Sequence, residues 1–123
     1  MEWKFESGRP IWAQVCDRVR TDIVNGVYAP LDKLPGVRDL AYEAQVNPNT
    51  MQRALAELER EGLLETRGTN GRFVSGDAEL IESARTELLE QAARNYITKC
   101  AELGADGTKA VQILKGVTES NGQ

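Results

Sequence analysis

The chain has 123 residues, no histidine, two cysteines and a formal net charge of −4, which bounds it to one compact domain, or one small domain with an appendage, and excludes a large multidomain enzyme. The absence of histidine removes His-based triads, His-ligated metal centres and imidazole acid–base chemistry, and Cys16 and Cys100 lie on apolar helix faces without zinc-ligand spacing, so neither metal nor cofactor is expected. No run approaches the roughly 20 apolar residues that cross a bilayer, and MEWKFESGRP lacks the basic start and apolar stretch of a signal peptide, so a cytoplasmic protein with no membrane partner is expected.

From Pro10 to Asn25 the apolar residues Ile11, Trp12, Val15, Cys16, Val19 and Ile23 recur at spacings of three and four, which predicts an amphipathic helix ending at Gly26. The connector VYAPLDKLP carries two prolines that favour extended geometry, with a short strand near Lys33 and Leu34. A second helix follows from Gly36 to Ala44, turning Val37, Leu40, Ala41 and Ala44 inward while Arg38, Asp39, Tyr42 and Glu43 point elsewhere. Gln45 and Val46 form a turn into VNPNT, where Asn47 is an N-cap and Pro48 fits the first helical position. That third helix turns Met51, Ala54, Leu55 and Leu58 inward and stops at Gly62. Two short helices joined by a tight turn spell a helix-turn-helix.

LLETRGTNGRFV then places two strand-like runs around Gly68, Thr69, Asn70 and Gly71, a hairpin signal. Helix, short strand, helix, helix, hairpin is the order of a winged helix. From Asp77 to Leu103 a long helix carries a stripe of Ile81, Ala84, Leu88, Ala92, Tyr96, Cys100 and Leu103, broadened by Leu80, Leu89, Ala93 and Ile97. Its span of about 40 Å at 1.5 Å per residue calls for a partner. TKAVQILKG makes a last short helix, and TESNGQ is expected to fray. The expected fold class is mainly α with a small β-hairpin: a winged helix-turn-helix over 1–76 and a two-helix dimerisation tail over 77–123.

Net acidity argues against a nucleic-acid partner, since phosphate binding draws on Lys and Arg, but distribution outweighs the sum. Residues 1–76 are nearly balanced, and the tail holds most of the excess negative charge. In a helix-turn-helix the second helix enters the DNA major groove with its N-terminal residues at the base edges. Asn47, Asn49, Thr50, Gln52 and Arg53 occupy that position; Asn can bond adenine in bidentate fashion, and Thr can reach a base, a phosphate or a thymine methyl. The positive end of that helix is expected to face phosphate. Arg38, Arg67 and Arg72 supply cations around it, with Arg67 and Arg72 bracketing the wing tip of Gly68, Thr69, Asn70 and Gly71.

Residues 34–74, LPGVRDLAYEAQVNPNTMQRALAELEREGLLETRGTNGRFV, resemble the winged-helix domain of the GntR family of bacterial transcription regulators. WKFESGRPIWAQV and the short tail are most similar to the small YtrA-type branch, which carries a two-helix dimerisation tail in place of a large effector domain. The resemblance implies DNA contacts from Arg38, from Asn47, Asn49, Thr50, Gln52 and Arg53, and from a wing tip at 68–72 in or near the minor groove. The chain departs from the family pattern at four points. Leu31 stands where a turn glycine is usual, Gly36 where a phosphate-binding serine is usual, Gln45 where the helix-turn-helix glycine is usual, and Pro48 where an arginine is frequent. Gln45 is expected to adopt a left-handed conformation.

The implied partners are a double-stranded DNA operator and a second copy of the chain. About 47 residues after the wing leave little volume to enclose a drug-sized effector, so any effector is unidentified. Two rival readings are a winged helix used for protein–protein assembly, which predicts no salt-sensitive DNA binding, and a cysteine-dependent activity, which requires a reactive thiol.

Overall fold

The computed structural model describes residues 2–121. The elements in chain order are α1 (Ile11–Val24), α2 (Val37–Ala44), α3 (Pro48–Arg60), β1 (Leu64–Thr66), β2 (Arg72–Val74), α4 (Ala78–Glu102) and α5 (Gly107–Ser120). By packing, the chain divides into two compact units, Met1–Arg85 and Thr86–Gln123.

In the first unit α3 is the hub, packing on α1, α2 and β1. Its inward stripe of Met51, Ala54, Leu55 and Leu58 is buried, as the sequence spacing requires, against Val15, Val19 and Ile23 of α1 and Leu40, Ala41 and Ala44 of α2. β1 and β2 pair antiparallel in the register Leu64 with Val74, Glu65 with Phe73 and Thr66 with Arg72. The expected extension near Lys33 is a single bridge to Phe73. Leu34 N–H donates to Arg72 O at 2.9 Å and Val74 N–H to Asp32 O at 2.8 Å, so β2 is held on both edges. At the tip, Asn70 N–H donates to Arg67 O at 2.9 Å, closing a tight turn over Gly68 and Thr69.

The segment before α1 is fastened by one buried side chain. Gln14 Nε2 donates to Glu6 O at 2.9 Å and Arg9 O at 3.1 Å, and its Oε1 accepts from Glu6 N–H at 2.8 Å. The amide thereby satisfies backbone groups that a strand would otherwise pair. The unit also takes in the start of α4: Ile81 is buried, and Arg85 donates to Val24 O at the end of α1 while pairing with Glu82. Asp77 caps α4, its Oδ1 accepting from Glu79 and Leu80 N–H at 3.1 Å.

Two residues other than glycine have positive φ, Leu31 at 72° and Gln45 at 57°, both where the family pattern has glycine. Leu31 has a compensation: its Cδ2 would lie 2.9 Å from a Cβ on Gly76, so the leucine covers a position with no room for a side chain. Gln45 is exposed and its side chain makes no hydrogen bond among the described residues. A left-handed non-glycine residue costs about 1–2 kcal/mol, partly offset by glycine's larger entropy loss on folding. Gln45→Gly is therefore expected to stabilise the unit by about 0.5–1 kcal/mol in urea denaturation, and a lower midpoint would contradict the strain argument.

The second unit contains the C-terminal part of α4 and all of α5. Tyr96 Oη donates to Ala110 O at 2.7 Å, Ala110 is fully buried, and Cys100 is half-buried. Asp106 caps α5 through Lys109 N–H at 2.9 Å. The expected apolar stripe is thus divided. Ile81 is spent in the core of the first unit; Tyr96 and Cys100 lie half-buried; Ala84 and Leu88 are half-exposed; Ala92 and Leu103 are exposed. α5 also runs beyond the predicted nine residues, and Thr118, expected to fray, is helical, its hydroxyl donating to Lys115 O at 3.0 Å. Gly122 and Gln123, also expected to fray, lie outside the described residues.

Candidate nucleic-acid interface

The N-terminal end of α3 is built as its sequence dictates. Asn47 has extended backbone geometry, its Oδ1 accepts from Asn49 N–H at 2.8 Å, and Pro48 occupies the first helical position. Asn47, Asn49, Gln52 and Arg53 are exposed and Thr50 is half-buried. The backbone donors at this end are already used: Pro48 has none, Asn49 is capped, and Thr50 and Met51 donate to Asn47 O at 2.9 and 3.1 Å. The first-turn amides of α3, expected to face phosphate, are thus internally satisfied.

The opposite holds at α2. Gly36 provides no side-chain cap, and Leu40 N–H is the first in the helix to find a carbonyl, that of Gly36 at 3.0 Å. The N–H groups of Val37, Arg38 and Asp39 have no partner among the described residues. A helix start with unsatisfied amides favours an anion. It opens onto a cleft between α2 and the wing, lined by Lys33, Gly36, Val37, Thr69 and Asn70, with the Lys33 side chain lying along Gly71. Arg38 is exposed in the first turn.

The wing differs electrostatically from its sequence reading. Arg67 pairs with Glu65 at 3.1 Å and stacks on Phe73 with its Cζ 4.5 Å from the ring centroid. Arg72 forms an ion pair with Glu59 of α3 and is mostly covered. The two arginines expected as free wing cations are each held by a carboxylate of the same chain, one supplied by strand alternation and the other by the flank of α3. Gly68, Thr69 and Asn70 remain exposed at the tip and Gly71 is half-exposed.

Among the described residues of the first unit, seven of nine arginines are ion-paired: Arg9, Arg18, Arg20, Arg60, Arg67, Arg72 and Arg85. The two that form no ion pair there are Arg38 on α2 and Arg53 on α3, the two helices of the helix-turn-helix. Arg53 instead lies over Trp12, its Cζ 4.2 Å from the ring centroid. Among the described residues of the first unit, the arginines without a carboxylate therefore both fall on the helix-turn-helix that carries the polar α3 end.

Residues 12–74 match the family described as "Bacterial regulatory proteins, gntR family". The chain belongs to the GntR family. The HTH-type transcriptional regulator YhcF of Bacillus subtilis is 34% identical over 119 residues, covering 97% of this chain and 98% of that protein. The HTH-type transcriptional repressor YtrA, also of Bacillus subtilis, is 40% identical over 87 residues, covering 69% and 67% respectively. A solved GntR family transcriptional regulator from Listeria monocytogenes superposes with a TM-score of 0.81 at 35% identity, covering 91% of this chain and 98% of that one. The DNA-binding domain of AraR, solved in complex with operator ORX1, superposes with a TM-score of 0.56 at 26% identity, over 61% of this chain and 99% of that one.

These relatives are transcriptional regulators, not enzymes. In this GntR chain burial pushes the Cys16 thiol up to about 11, leaving that thiol protonated and a poor nucleophile at neutral pH. No helix among the described residues is long and apolar enough to cross a membrane. One residue beside the wing is not legible from sequence spacing. Lys33 belongs to a connector in the sequence, and only the bridge to Phe73 brings it beside the wing.

Proposed function

We propose that the chain is a sequence-specific DNA-binding regulator that works in the cytoplasm as a repressor, engaging a pseudo-palindromic operator as a homodimer. The observation that carries this reading is the pairing pattern of the first unit's arginines: among the described residues the two with no carboxylate, Arg38 and Arg53, lie on the helix-turn-helix beside the exposed Asn47, Asn49 and Gln52 and the half-buried Thr50. In this reading Asn49, Thr50 and Gln52 meet base edges in the major groove, while Asn47 and Pro48 build the helix end. The free amides of α2, with Lys33 and Arg38, hold backbone phosphate. The tip at Gly68–Gly71 lies in or near the minor groove. Arg67 can exchange Glu65 for phosphate at little cost, because an exposed ion pair is worth about 1 kcal/mol or less. Arg72 chiefly docks the wing on Glu59.

Residues 1–76 form the reading head and 77–123 the dimerisation tail, and two heads lie about 34 Å apart or a multiple of it. Occlusion of a promoter then gives repression, the activity that the name of the relative YtrA carries. Selecting bound fragments from genomic DNA with the purified protein is expected to recover a two-fold-symmetric motif; recovery of no duplex would overturn the reading in favour of protein–protein assembly.

Arg38→Ala is expected to weaken binding by roughly 1–3 kcal/mol and to lower the slope of log affinity against log salt by about 1, equally on specific and scrambled duplexes. Unchanged binding would mean that the phosphate-facing surface lies elsewhere.

A further inference from the structure

Three arginines of the first unit lie over aromatic rings, and their surroundings differ. Arg18 lies over Trp3 and pairs with Asp22; Arg67 lies over Phe73 and pairs with Glu65. Arg53 lies over Trp12 and has no carboxylate among the described residues. Stacking engages only the face of a guanidinium and leaves its in-plane N–H donors available for hydrogen bonding. The Arg53 guanidinium thus has a ring contact and no hydrogen-bond acceptor among the described residues, whereas Glu65 uses part of the capacity of Arg67.

The ridge along α3 shows which way the group is fixed. Arg53, Glu57 and Glu61 follow at intervals of four, one ridge of a helix. Glu61 meets Arg20 of α1 at 2.6 Å, so the ridge runs onto the α1 flank. Glu59 pairs with Arg72, so the wing lies on another flank. Stacking on Trp12, in the first turn of α1, draws Arg53 toward that first flank and away from Gln52. A cation on the flank of a groove-entering helix meets the sugar–phosphate backbone and not the groove floor.

We propose that Trp12 is a positioning residue that holds the Arg53 guanidinium for a phosphate contact on the α1 side of the recognition helix. The inference rests on the DNA-binding reading above and adds a residue outside the helix-turn-helix to it. An arginine side chain carries about 2 kcal/mol of rotamer entropy; the stack removes part of that freedom before DNA arrives. The contact is independent of sequence, and it survives replacement of the indole by another aromatic ring.

The test is a double-mutant cycle with Trp12→Ala, Trp12→Phe and Arg53→Ala. It is read by fluorescence anisotropy on a labelled duplex of about 30 base pairs carrying the selected sequence, long enough for two half-sites, and on a scrambled duplex. Trp12→Ala is expected to weaken binding to both duplexes roughly 3- to 10-fold, Trp12→Phe to stay within about 2-fold of the parent, and Trp12→Ala to add nothing in the Arg53→Ala background. Arg53→Ala is expected to lower the salt slope by about 1. A purely structural role for Trp12 would instead give losses that add, accompanied by a lower melting temperature. Additive losses, a loss confined to the selected sequence, or full affinity in Trp12→Ala would each overturn the proposal. If Trp12→Ala does not fold, the cycle of Trp12→Phe with Arg53→Lys decides, because lysine keeps the charge and loses the planar stack; the proposal requires a loss from Arg53→Lys on both duplexes. A parent chain that binds neither duplex would sink the DNA-binding reading itself, an outcome distinct from parent binding with an unaffected Trp12→Ala.

Discussion

In the proposed homodimer, Leu114→Asp is expected to separate the two chains and to weaken binding to a two-half-site duplex by about 100-fold or more. The reason lies in the burial of the second unit. α5 has 14 residues and a single buried one, Ala110, while Val111, Ile113, Leu114 and Val117 are each about half exposed. An isolated helix of that length is marginal in water, and packing of an amphipathic face ordinarily supplies its stability. α4 adds Leu89, Ile97 and Leu103, the last 75% exposed. An apolar surface spread over both helices fits a second copy of the tail.

A carboxylate at Leu114 would have to be buried without a partner when two tails meet, and that desolvation cost comes on top of the apolar burial the leucine supplied. A monomer then binds each half-site separately and loses the high effective concentration that a linked second head enjoys. Sedimentation equilibrium and anisotropy on a full operator measure the two effects together. Affinity for an isolated half-site is expected to stay within about 3-fold of the parent, because the reading head is untouched. A dimer that persists in Leu114→Asp, or a monomer with unaltered affinity for the full operator, would refute this account of the tail.

Leu58→Ala is expected to destabilise the winged-helix unit by about 2–5 kcal/mol. Leu58 is 0% exposed and lies on the inward stripe of α3, the element on which α1, α2 and β1 all converge. Its carbonyl accepts from Leu63 N–H at 3.0 Å, tying the helix end to the start of the hairpin, so little collapse is available to fill the cavity. Small domains have only about 5–15 kcal/mol of total stability, so the loss brings the unit close to unfolding. Urea denaturation followed by far-UV circular dichroism measures it, with Leu58→Met, which nearly conserves volume, costing less than about 1.5 kcal/mol. A loss below about 1 kcal/mol in Leu58→Ala would show that the α3 hub repacks freely.

The secondary structure and family were legible because their signals are local. Asn47 caps Asn49, Gly62 with φ of 84° ends α3, and the Gly68–Gly71 turn closes the hairpin, each within a few residues of its own sequence cue. Gln45 takes the expected left-handed geometry for the same reason. The bonding of the helix amides is not legible in this way. Helix polarity singles out the start of α3, and it takes the actual bonding to see that the N–H groups of Asn49, Thr50 and Met51 are engaged there while those of Val37, Arg38 and Asp39 at α2 are not.

Which segments become helices and hairpin, where the recognition helix begins, and the family to which the chain belongs all follow from the order of residues alone. Capping, turn geometry and apolar period act over one or two helical turns and are written in adjacent residues. The electrostatics follow from packing instead. Arg72 meets Glu59, Arg20 meets Glu61 and Arg53 meets Trp12 only once α1, α3 and the wing are assembled. The chain carries nearly equal numbers of opposite charges in its first 76 residues, so composition cannot say which cations are neutralised at home and which remain for DNA. That depends on distances between side chains far apart in sequence, and folding alone sets them.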